Sequence, residues 1–266
     1  MNAQRRVKPF LGAALLSLSV LATPALGADK KQPSMDEMVK FFDIIIFHSE
    51  FKDIKGSKTI KKWKGPLRVG IRNFAEVTVN KDGREVTQLK QVKVKKAHVK
   101  FIQKHLNSLV RATGLKTEDA KKTGKPANFK INFVPHRHLG NPYLAKANPK
   151  LLRKMAVQGG CYFILWSDKV TGNISEAVIV VNSDRLLIRI NHCLLEEMTQ
   201  SLGLPNDSNM ISPSIFSDRS RRTELTRSDL LILKALYHPR MKAGLPREQA
   251  LKVAGEILPE LEASLP

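Results

Sequence analysis

The sequence predicts a mixed α+β domain, and three observations carry that expectation. Strand-forming runs at residues 67–71, 129–133, 161–166 and 174–181 alternate with stretches whose apolar residues recur at helical spacing. Hydrophobic residues make up 42% of the chain, enough for one sizeable core. No internal repeat is present, so the elements belong to one non-repetitive domain of twisted mixed sheet and packed helices.

Residues 1–27 carry Arg5, Arg6 and Lys8, an apolar run at 10–22, and Ala25-Leu26-Gly27 before Ala28. That order is a secretory signal with a small-residue cleavage point, and the run is too short to span a membrane. Cleavage near Gly27-Ala28 leaves 239 residues in the periplasm or outside the cell. No cysteine stands near that point to hold a lipid anchor, and no other apolar run is long enough to cross a bilayer. In an oxidising compartment an even pair of cysteines, Cys161 and Cys193, reads as a structural disulfide. The alternative is Cys193 as a thiol nucleophile, but its sequence neighbour His192 points elsewhere in a helix.

After a polar start at 28–34, residues 35–51 form a buried segment with Met38, Phe41, Phe42, Ile45, Ile46 and Phe47 facing inward. Ile60 to Trp63 leads through Gly65-Pro66 into a short strand at 67–71. Val77 to Asn80, the turn Lys81-Asp82-Gly83 and Val86 onward form a hairpin. Val99, Ile102, Leu106, Leu109, Val110 and Thr113 mark the inner face of a helix ending at Gly114, with Lys100, Lys104 and Arg111 outside. The strand at 129–133 alternates, apolar on one face, and His136-Arg137-His138 follows as an exposed loop rather than a metal site. Two further strands, 161–166 and 174–181, are joined by a turn-rich connector. Asp184 is the expected N-cap of the next helix. Beyond it, Thr226 to Asp229 opens another helix with a capping box. Residues 28–240 are taken as the domain and 241–266 as a helical tail, its helix 247–258 broken at Pro259.

The formal charge is +21; the signal holds three basic residues and no acidic one, so the cleaved chain carries +18. The excess is concentrated in lysines between 52 and 130. Such a field attracts polyanions: lipopolysaccharide, anionic lipid head groups, envelope polymers or extracellular DNA. The alternative is a solvated basic surface with no partner. Aromatic residues are too sparse for stacking on single strands, and no sequence-specific nucleic-acid binding is expected.

The chain is organised around residues 191–207. Leu187, Ile190, Leu194, Met198 and Leu202 define a buried helix stopping at Gly203. Glu196 and Gln200 stack on one face, Glu197 lies one step round, and Gly203 permits a turn that brings Asn206 back beneath them. This order resembles the metzincin zinc peptidases, whose helix runs His-Glu-x-x-His-x-x-Gly-x-x-His. The resemblance puts Glu196, Gln200 and Asn206 at the metal-ligand positions and Glu197 at the general base. All three histidine ligands are replaced. Ser214-Ile215-Phe216 stands where metzincins have their methionine turn, and residues 225–237 resemble the helix that follows.

The combination of Cys193, Glu196-Glu197, Gln200, Gly203-Leu204, Asn206-Asp207, Ser214-Ile215-Phe216, Leu225-Thr226 and Tyr237-His238-Pro239-Arg240 is similar to the bacterial domain of unknown function numbered 2927. That resemblance, specific over 161–240, implies a zincin-like fold: a sheet backed by a long helix, an active-site-type helix and C-terminal helices. It also implies export, and an edge strand before the active-type helix that pairs with an extended peptide. It assigns no activity. One carboxylate and two amides make a hard, weak donor set, suited to calcium, magnesium or manganese if to any ion. The first expectation is therefore a non-catalytic module in which Glu196, Glu197, Gln200 and Asn206 satisfy one another while an anionic envelope polymer or a peptide segment binds. The second is a metal-dependent hydrolase with Glu197 as general base.

Overall fold

The computed structural model describes residues 32–49, 54–145, 147–158 and 160–265. The expected signal, residues 1–27, lies outside them. Pro33–Pro266 form one compact unit. In order its elements are α1 (Met35–Phe47), β1 (Lys62–Trp63), β2 (Val69–Lys81), β3 (Arg84–Val92), α2 (Lys96–Thr113), α3 (Ala120–Thr123), β4 (Phe129–Val134), α4 (Pro149–Gln158), β5 (Cys161–Ser167), β6 (Asn173–Asn182), α5 (Leu187–Gln200), α6 (Arg227–Tyr237) and α7 (Arg247–Ser264). The class is mixed α+β, as the sequence predicts.

The six strands make one mixed sheet. β2 and β4 are parallel, as are β4 and β6, while the hairpin partner β3 and the strand β5 run antiparallel. Strand β6 is therefore interior, and β5 is the outer strand beside it. Val178–Val181, which the sequence offers as an edge strand or the neighbour of one, is the neighbour: it lies beside β5, and continuous burial from Ala177 to Asn182 reflects cover on both faces. The same holds for β4, where Asn132 and Val134 are buried opposite Phe129, Ile131 and Phe133. One core joins α1, α2, α5, α6 and α7 to the sheet. A second, around Leu144, Leu152, Tyr162 and Val180, fills the other face.

Several local expectations need correction. Val99 is 41% exposed; the inner face of α2 is His98, Ile102, His105 and Leu109. That stripe has helical spacing, but its histidines look polar in sequence. His98 stacks on Phe133 at 4.1 Å between ring centroids. Asp184 does not cap α5: its Oδ2 accepts the His136 N–H at 2.8 Å, and the N-cap is Leu186, which supplies no side-chain bond. Leu187 is exposed rather than buried. Helix α7 runs through Pro259, because Ile257 and Leu258 are buried and Arg227 holds the far turn at Glu262 through Nε–Oε1 (3.0 Å). The C-terminal tail packs on the domain: Met241, Ala250, Ala254, Ile257 and Leu258 join the main core.

Candidate functional site

Helix α5 sits under β5 and β6 because Ile190, Leu194 and Met198 recur on its inner side and are fully or almost fully buried. Its exit is fixed by Gly203, whose φ of 111° brings the backbone against the Lys61 carbonyl; a Cβ there would stand 2.1 Å from that oxygen. The indole N–H of Trp63 donates to Ser201 O at 3.0 Å, and the Tyr237 hydroxyl donates to Leu202 O at 2.9 Å. These contacts hold the exit of α5 against β1 and α6.

Between α5 and β5 lies a cavity of about 230 Å³ whose walls include Glu196, Glu197, Gln200, His192 and Asp207. The predicted disulfide is present: Cys161 of β5 is joined to Cys193 of α5, and both line the cavity. Glu197 is only 6% exposed. The Gln200 Nε2 donates to Asp207 Oδ1 at 2.6 Å. Arg185 enters from before the helix and donates through Nη1 to Cys193 Sγ at 3.3 Å.

Three of the four residues singled out by the sequence meet here, and the fourth does not. The Asn206 side chain turns away from the cavity, its Nδ2 donating to Ile44 O at 3.1 Å and Asp207 O at 2.9 Å. Its backbone N–H also reaches α1, at Ile45 O (3.2 Å). Asn206 therefore anchors the turn to α1, and Asp207 takes the place in the cavity. One residue of phase after the glycine decides between them.

His192 is the residue that sequence reasoning passed over. It stands four before Glu196, so the two stack, with Nε2 3.4 Å from Glu196 Oε2. Its Nδ1 lies 2.7 Å from the Arg222 carbonyl, which only accepts, so the ring proton sits on Nδ1. Burial lowers the pKa of His192, with Arg189 and Arg185 adding to the effect and the Arg222 bond opposing it. A neutral ring thus aims a lone pair at Glu196, and the contact is attractive once either partner carries one more proton.

A zinc centre needs three donors free to converge and an open fourth position. Cys161, Glu196 and Glu197 each bring a ligand atom within 4.8 Å of the others, but the cysteine sulfur is held in the disulfide. Gln200 donates through Nε2 to Asp207, which leaves its ligating Oε1, but Asn206 faces α1 and supplies no third donor. The residues present do not fit a three-ligand zinc site.

The fold and site together define an α+β protein with a polar, disulfide-walled cavity between a buried helix and an outer strand. The chain belongs to the family described as protein of unknown function (DUF2927), whose model matches residues 35–255. No curated protein and no solved structure matches it.

Proposed function

We propose that the chain is an exported, zincin-like binding module without catalytic activity, which takes an extended peptide segment along β5. Its basic surface attracts anionic envelope polymers. The observation that carries this reading is at two of the three former ligand positions: Gln200 donates to Asp207, and Asn206 turns away to α1. Buried polar groups that satisfy one another stabilise a cavity wall. The zincin-like reading draws support from an antiparallel outer strand directly before the β6–α5 unit. Among the described residues β5 pairs with β6 alone, so its outer edge is available for strand addition. Phe163 and Met155 border both the polar cavity and an apolar one of about 510 Å³ that continues along β5 to Leu165.

Calorimetric titration with extended apolar peptides tests the reading, beside Leu165→Asp. Saturable binding lost in the variant supports it; binding indifferent to Leu165 removes β5 as the site. The hydrolase reading is favoured by one observation, the burial of Glu197 in the cavity wall. There Glu197 acts as general base, and Glu197→Gln abolishes turnover with little change in melting. Elemental analysis of protein purified without chelators, with Glu196→Ala alongside, separates the readings: a stoichiometric metal lost in the variant sinks the non-catalytic one.

A further inference from the structure

The first turn of α5 differs from the rest of the helix in three respects. Leu186, Leu187 and Ile188 are consecutive large apolar residues, and they expose 74, 50 and 58% of their surface. The helix has no side-chain cap at this end and no acidic residue in its first turn. Arg185 and Arg189 bracket the triplet in sequence, and the whole chain is strongly basic.

Single exposed leucines are common on protein surfaces, but three large apolar residues in succession at an uncapped helix start leave the tip of the helix apolar and exposed. The leading N–H groups of a helix lack intrahelical partners and carry the positive end of its dipole. Phosphate oxygens satisfy such groups, and guanidinium groups reinforce the attraction. Nearby, the Asp184 carboxylate is already engaged with the His136 N–H. An apolar tip flanked in sequence by arginines, on a strongly basic chain, complements a bilayer whose surface is anionic and whose acyl boundary lies just below its phosphates.

We propose that residues 186–189 dock on an anionic phospholipid bilayer, with Leu186, Leu187 and Ile188 entering the acyl boundary and Arg189 and the uncapped helix end meeting lipid phosphates. Arg185 and Arg189 also line the polar cavity, so docking holds the cavity mouth at the membrane surface. A cleft that binds no peptide leaves this inference standing, since the apolar tip acts without it.

Co-sedimentation of the purified chain with vesicles of phosphatidylglycerol and phosphatidylcholine, against phosphatidylcholine alone, is the test. The expected result is at least tenfold tighter binding to the anionic vesicles, and at least tenfold loss in L186S/L187S/I188S. Undiminished binding by that variant overturns the proposal, because it assigns the attraction to lysines elsewhere. Leu187→Trp gives a local readout that does not depend on the triple variant folding. A blue shift of its emission, beyond any shown by the wild-type chain, is expected with anionic vesicles only. No shift, or an equal shift on neutral vesicles, also overturns it.

Discussion

The two ends of α5 follow opposite rules. At its C-terminal end the backbone is held from three sides: Trp63 on Ser201 O, Tyr237 on Leu202 O, and the Lys61 carbonyl against Gly203. At its N-terminal end apolar side chains face outward and no cap closes the helix. The cavity carboxylates lie on the part that is held, where packing fixes their positions. The exposed turn is where a partner meets the protein without disturbing that packing. Within one 14-residue helix, burial thus separates a preorganised site from an available surface.

The contrast predicts a graded series of effects. The largest is at Gly203: Gly203→Ala forces a side chain into a positive-φ position against a backbone carbonyl, and urea denaturation should show a loss of roughly 3–5 kcal/mol. A fully stable variant would mean that the turn relaxes and that the C-terminal end is not rigid. Removing the disulfide by C161A/C193A should cost ~2–4 kcal/mol, read the same way, because it frees β5 from α5. Glu197→Gln should cost about 1 kcal/mol through the buried wall of the cavity, and a much larger drop would make Glu197 a structural keystone. Leu187→Ser, at the open end, should change stability by less than ~0.5 kcal/mol. If it destabilises as much as Glu197→Gln, the two ends are not distinct.

A pH experiment extends the comparison beyond α5. His98 is fully buried on α2, and neither ring nitrogen has a hydrogen-bond partner among the described residues. Burial, with a smaller contribution from Lys95, lowers its pKa from 6.5 to about 4. The unfolded chain therefore binds the proton more readily between those values, and stability falls as pH drops from about 6.5 towards 4. His98→Leu should flatten part of that loss in acid denaturation curves. His105 and His192, whose pKa values are also lowered by burial, contribute in the same direction. An unchanged acid limb would remove His98 from the explanation.

Much of the fold was legible because periodicity reports burial directly. The six inward residues of α1 are the ones buried, the hairpin turns at Asp82 and Gly83, and the α6 capping box forms between Thr226 and Asp229. What failed to read were cases where tertiary contact overrode a local signal. The charge pattern places Lys62 in a surface lysine run, yet its Nζ donates to Leu236 O (2.9 Å) and Met241 O (2.7 Å), and burial lowers its pKa to about 8. Asp229 caps α6 as expected, but it is fully buried and also accepts from Ser214 Oγ at 2.6 Å, joining α6 to the Ser214–Phe216 turn. At the candidate site, the i,i+4 pairing of His192 with Glu196 was open to sequence reasoning. The choice of Asp207 over Asn206 was not.

By itself the sequence determined the class of fold, the family, the pairing of two cysteines and the helix that carries Glu196, Glu197 and Gln200. The fold class and the helix follow from local spacing and composition, which act over a few residues; the family follows from a resemblance in named motif residues, and the cysteine pairing from their even number in a chain read as exported. Only the tertiary structure decided that β5 is the outer strand, that Asn206 belongs to α1 and Asp207 to the cavity, and that Leu186 to Ile188 face outward. Each of those outcomes depends on which surfaces meet after the chain has folded. Helical spacing marks a residue as able to be buried, and burial itself requires a neighbour that residues far along the chain supply.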